Sequence, residues 1–159
     1  LNYINTIGDI GVVFGTTYSR AQAESAAPFA ERDDIGAWSI GGTLTFSNFS
    51  VGIGHGDSGD SNCTVANTLC DQGDWWDVAA RYKFGSTTIA GGFLSNESNP
   101  AGNATGDTVD VFSVGISHAF ASAPGMSAWA EYTQFEGDRT GTASDNDATY
   151  FMIGTKVAF

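Results

Sequence analysis

No apolar run of about 18 residues occurs anywhere in the chain, which excludes a membrane-crossing helix. Basic residues are scarce as well: 6 Lys and Arg stand against 18 Asp and Glu, for a net charge of −12. Nucleic acid is thereby excluded as a partner, because its phosphates need clusters of Lys and Arg. Proline occurs 3 times and leucine 4 times in 159 residues, and no apolar face of helical period runs for any length. The two cysteines, Cys63 and Cys70, have no His or Cys neighbours and make a poor zinc site. Residues 1–9 carry neither a charged start nor the apolar stretch of a secretion signal. The expectation is that a signal has been removed or that the chain is a piece of something longer.

What the chain does have is glycine, 21 of them, together with Thr, Ser, Val and aromatics. That mixture reads as β. Eight segments alternate apolar and polar residues, at roughly 10–19, 35–47, 49–56, 74–84, 87–95, 108–119, 126–135 and 148–159. The fourth is the clearest: Trp76, Val78, Ala80, Tyr82 and Phe84 on one face, Trp75, Asp77, Ala79, Arg81 and Lys83 on the other. The last has Phe151, Ile153, Thr155, Val157 and Phe159 on one face, and its length suits one crossing of a transmembrane β-barrel. Residues 1–4 read as the end of a ninth strand, with a short link at 5–9.

Link lengths alternate too. Short links lie around Ser47-Asn48, Gly85-Ser86 and 121–125, and long polar ones at 20–34, 57–73, 96–107 and 136–147. An up-and-down antiparallel barrel with all its long loops at one end has this pattern, with short periplasmic turns and longer outer loops. A Greek-key sandwich is not expected to sort its loops this way. The fold class expected is therefore all-β, a transmembrane β-barrel in one unit spanning 1–159. A soluble β-barrel or sandwich that binds a small ligand is the competing class.

In a barrel the polar face points into the lumen, so Asp77, Arg81, Lys83, Glu131 and Lys156 become pore-lining candidates. The strand bases oppose apolar faces, as lipid burial requires, since Lys or Arg on the lipid side costs about 2–4 kcal/mol at the midplane. Opposed wall charges tune ion preference; pairing among themselves as a salt-bridge ladder is the plainer alternative. Tyr18, Trp76, Tyr82, Phe84, Phe120 and Phe159 fall near strand ends and are candidates for aromatic girdles. Thirteen of the 18 acids fall in the four long links, which would make a negative, cation-attracting rim.

Cys63 and Cys70, close together in one polar segment, suit a loop disulfide in an oxidising compartment, with two reduced thiols as the alternative. Asp57 and Asp60, like Asp145 and Asp147, offer oxygen ligands for Ca²⁺, but neither stretch has the ligand spacing of an EF-hand. No other cofactor is expected. His55, Ser58 and Asp57 suggest a catalytic triad only superficially, because a Gly-rich loop gives a nucleophile and base no rigid support. No enzymatic activity is expected.

The stretch from Leu1-Asn2-Tyr3-Ile4 through Gly11-Val12-Val13-Phe14-Gly15-Thr16-Thr17-Tyr18-Ser19 resembles a mid-barrel hairpin of Gram-negative porins. Ile116-Ser117-His118-Ala119-Phe120, Met126-Ser127-Ala128-Trp129-Ala130-Glu131-Tyr132 and Gly154-Thr155-Lys156-Val157-Ala158-Phe159 resemble that family's last strands, the α-proteobacterial general porins being nearest. The resemblance implies the C-terminal half of a sixteen-stranded, trimeric, water-filled barrel in the outer membrane, in contact with lipid and lipopolysaccharide and passing small hydrophilic solutes. The inward-folded constriction loop would then lie outside this chain. A complete eight-stranded barrel with adhesive or binding loops and no open pore is the alternative.

Overall fold

The computed structural model describes residues 1–23, 31–61, 63–99, 106–139 and 146–158. Its nine strands are β1 (Asn2–Ile7), β2 (Ile10–Ala21), β3 (Ile35–Phe46), β4 (Phe49–Asp57), β5 (Asp71–Phe84), β6 (Thr87–Asn99), β7 (Asp107–Ala119), β8 (Met126–Asp138) and β9 (Asn146–Val157). They form a single antiparallel sheet in chain order, each strand bonded to the next. β1 and β9 do not pair, so the sheet is open. Residues 2–7 pair with β2 along their whole length, from Asn2 opposite Gly15 to Ile7 opposite Ile10. They form a full strand, and the link after them shrinks from the expected 5–9 to Gly8-Asp9.

The tight turns need backbone that L-residues resist. Gly8 and Gly85 supply positive φ at two of them, and Ser47 adopts φ 52° at a third. Register then carries the faces across the sheet, since a slip of one residue would reverse every side chain. One row runs Ile53, Val78, Phe93, Phe112 on β4 to β7. The neighbouring row on the opposite face runs Gly52, Ala79, Gly92, Ser113 and ends at Thr133 of β8. Residues from β2 (Val13) to β8 (Glu131) line one trough of about 680 Å³ on the small-residue side, so the sheet curls toward that face.

The apolar side chains turn to the convex face and remain uncovered. Among the described residues the only buried apolar side chains are Cys63 and Cys70, while Ile53, Phe151 and Ile153 are 64, 66 and 74 % exposed. A soluble sandwich would bury such a face against a second sheet. A convex face like this is at home against hydrocarbon.

Seven strands run one to four residues further toward the long links than the alternation indicated: β2 to Ala21, β4 to Asp57, β5 from Asp71, β6 to Asn99, β7 from Asp107, β8 to Asp138 and β9 from Asn146. As a result Asp57, Asp71, Glu97, Asp107, Glu136, Asp138 and Asp147 are strand residues, not loop residues. Polar residues above the apolar band hide the strand signal, although the ladder continues through them. The same extension corrects the reading of the bases. Arg20 shares the convex phase of Tyr18, but lies beyond it at the loop end, 3.9 Å from Asp34. Phe120 falls just past β7, in the turn, where its backbone N–H donates to the Met126 carbonyl. Asp145 and Phe159 lie outside the described residues.

Candidate functional site: the concave wall

Asp77, Arg81 and Lys83 of β5, Glu131 of β8 and Lys156 of β9 all take the concave phase. Arg81 and Glu131 belong to one cross-strand row, Arg81–Ala90–Gly115–Glu131. With strands about 4.8 Å apart, their backbones stand about 14 Å from each other. Only an alanine and a glycine lie between, so the cation and the carboxylate flank a low floor rather than meeting.

Each is held by hydroxyls. Arg81 Nε donates to Ser50 Oγ at 3.3 Å. Thr133, 1 % exposed, donates to Glu131 Oε1 at 3.1 Å. That leaves Ser113 Oγ, 2.9 Å away, to donate to Thr133. Among the described residues Arg81, Lys83 and Lys156 make no ion pair; the pairs present are Arg20–Asp34 and Arg139–Asp107, both at the loop end. The salt-bridge ladder is therefore not formed. A row that separates opposite charges with small residues leaves a field across the trough.

On the same wall two aromatic rings rest on glycines, Trp75 above the Arg81–Glu131 row and Trp129 below it, in the row of Lys83. A methyl at Gly56 would meet the Trp75 indole at 2.6 Å, and one at Gly154 would meet Trp129 at 2.6 Å. The wall is not uniformly polar. Leu94, Val111 and Phe135 make an apolar row beside Asp77.

The convex face carries two aromatic rows. Toward the long links Tyr18 opposes Trp38 and His55 opposes Trp76, and Trp38 meets His55 diagonally, edge to face at 5.1 Å. His55 Nδ1 donates to the Trp75 carbonyl at 2.8 Å, so it is a structural member of this row and faces away from the trough. Toward the tight turns lie Phe46, Phe49, Tyr82 and Phe84, with Tyr82 and Phe84 stacked at 6.1 Å; Phe120 meets His118 edge to face at 5.3 Å. Trp76 and Phe84, eight residues apart on β5, are separated by about 27 Å along the strand. Tilted as barrel strands are, that covers about 20 Å of height, most of an apolar band about 25 Å tall.

The sequence pattern of Gram-negative porins matches residues 1–154. The chain belongs to the Gram-negative porin family. Among solved structures the porin is similar in fold to a loop-L8 deletion mutant of OmpT, an outer membrane protein of Vibrio cholerae, with a TM-score of 0.63 and 21 % identity. That match covers 97 % of this chain and 51 % of the other, so the chain spans about half the length of that structure. Comparison with curated proteins found no match. The family and the barrel-type fold put the porin in the bacterial outer membrane.

At the porin's loop end, Cys63 and Cys70 form a disulfide with a Cα–Cα distance of 5.9 Å. The bridged loop is joined to the preceding one: Asp33 N–H donates to the Cys63 carbonyl, Val65 N–H to the Glu31 carbonyl, and Gly36 N–H to Ser61 Oγ. Asn99 Nδ2 on β6 holds the Leu69 carbonyl. Asp57 Oδ1 accepts the Gly59 N–H, and Asp147 lies on β9 opposite Glu136. Among the described residues no three His, Cys, Asp or Glu side chains are placed to hold a metal ion.

Sequence reasoning put Trp75 on the wall face of β5 without singling it out and did not single out Trp129 at all, although Gly54, Gly56 and Gly154 on adjacent strands were the available signal. It also missed the acids of the convex face: Asp57, Asp74 and Glu97 oppose one another one step past the His55–Trp76 row, and Asp110, Glu136 and Asp147 continue that row across β7 to β9. Like charges directly opposed repel, which is tolerable only where water screens them, above the bilayer core.

Proposed function

We propose that this porin is a general diffusion channel of the α-proteobacterial type, passing small hydrophilic solutes and ions with a bias toward cations and catalysing no reaction. The observation that carries the reading is the concave wall, with a floor of glycine and alanine between unpaired Arg81 and Glu131 under an uncovered apolar convex face. Asp77, Arg81, Lys83, Glu131 and Lys156 would line the lumen, and the −12 net charge favours cations near the mouth.

The open edges of β1 and β9 support a larger barrel. An unpaired strand edge in hydrocarbon costs several kcal/mol per group, so lipid requires further strands between them. A sixteen-stranded barrel, of which these nine strands form the C-terminal half, meets that need, and the half-length match to a solved barrel is consistent with it. A complete eight-stranded barrel would leave the fully paired β1 outside its cylinder. The convex face would meet lipid and lipopolysaccharide and, in part, two further copies in a homotrimer. Liposome swelling with a series of neutral sugars tests the channel. Uptake that falls with sugar size supports it, and no swelling with the smallest sugar refutes it.

A further inference from the structure

On the concave wall a notch of about 370 Å³ lies beside the main trough and shares Thr43, Gly52 and Ala79 with it. Its floor is glycine (Gly41, Gly52 and Gly54), and Trp75 and Asp77 of β5 stand at its side. Both side chains lean over β4. A methyl at Gly54 would meet Asp77 Oδ1 and, at 3.1 Å, Trp75 Cζ3; one at Gly56 would strike the indole at 2.6 Å. The carboxylate therefore sits next to the benzo edge of an indole whose position is fixed by two glycines. Both residues are half-buried, so each keeps a surface toward the notch.

Asp77 makes no ion pair among the described residues. The nearest base along its strand, Arg81, is about 13 Å further down and is tied to Ser50. A carboxylate at the rim of an indole that lies over Gly56 on one side and keeps its exposed surface on the other is the chemistry that takes an organic cation, through the charge and through the ring's open face together. A neutral sugar would need several planar donors and acceptors around the ring; here the notch offers one carboxylate and the hydroxyls of Ser39 and Thr43, and that of Ser39 is already bonded to Thr17. We infer that Trp75 and Asp77 form a wall subsite for organic monocations, ammonium or guanidinium, on the solute path. The inference rests on the concave face being the lumen, and names a solute class for it.

The test is single-channel recording of the intact porin with methylguanidinium chloride, in wild type and in the Asp77→Asn, Trp75→Leu and Trp75→Phe variants. Asp77→Asn and Trp75→Leu are expected each to weaken the methylguanidinium effect about two- to fivefold, with Trp75→Phe keeping most of it. Equal effects in wild type, Asp77→Asn and Trp75→Leu overturn the subsite while leaving the channel intact. A response to glucose that Trp75→Leu abolishes, with methylguanidinium unaffected, overturns it in favour of a carbohydrate site. Titration of the detergent-solubilised protein, followed by indole fluorescence, reads binding whether or not a channel opens. Absence of conductance with binding intact therefore counts against the diffusion reading alone. Should Trp75→Leu fail to fold, the near-isosteric Asp77→Asn decides.

Discussion

Val78 and Ala79 are adjacent on β5, midway between the Trp76 and Tyr82 aromatic rows, and they point to opposite faces. Val78 lies among Ile53 and Phe93 on the convex side, and Ala79 between Gly52 and Gly92 in the trough. A lysine at Val78 would put an ammonium into hydrocarbon near the midplane, at about 2–4 kcal/mol. A lysine at Ala79 projects into water and costs only the crowding of a shallow floor. Since 1.4 kcal/mol is tenfold, Val78→Lys should lower the folding equilibrium roughly 30- to 700-fold, with Ala79→Lys within about tenfold of wild type. Urea unfolding in phospholipid vesicles, followed by heat-modifiable gel mobility, measures both. Equal losses, or a larger loss for Ala79→Lys, would refute the assignment of faces on which the remaining argument depends.

Gly154→Ala places a methyl 2.6 Å from the Trp129 indole and should cost about 1–3 kcal/mol; Trp129→Ala should remove most of that penalty in a double-mutant cycle. Denatured, unreduced protein should show no free thiols, and a Cys63→Ser, Cys70→Ser pair should lose at most about 2.5 kcal/mol, because the closed loop is short. Faster proteolysis between residues 58 and 70, with the strands still protected, is the accompanying sign. Arg81→Gln should raise cation preference and Glu131→Gln should lower it, both read from reversal potentials. Shifts of the same sign would show that the two do not act as opposed wall charges.

The strands were legible because period-2 alternation is imposed by lipid on one side and water on the other. Trp76 through Phe84 showed this most clearly, and its faces are those the sequence gives. The signal fades where both faces meet water, which is why the polar strand ends holding Asp71, Glu97 and Asp138 read as loops. Arg20, within the expected 20–34 link, belongs to β2 for the same reason. Individual wall charges could be placed on a face, but not in a row: that Arg81 and Glu131 share one depends on the register of three intervening ladders. The Trp75 notch was less legible still, since it needs glycines of β4 and a carboxylate of β5 brought side by side. The Cys63–Cys70 bridge was readable from spacing and context, whereas the hydrogen bonds tying that loop to residues 31–36 were not.

The central claim is a cation-biased aqueous path along the concave wall. The zero-current potential of single channels in a KCl gradient tests it most directly. The account predicts stable conductance steps with a potential whose sign marks potassium as the more permeant ion. Conductance with chloride the more permeant ion, or no conductance from correctly folded protein, would contradict it.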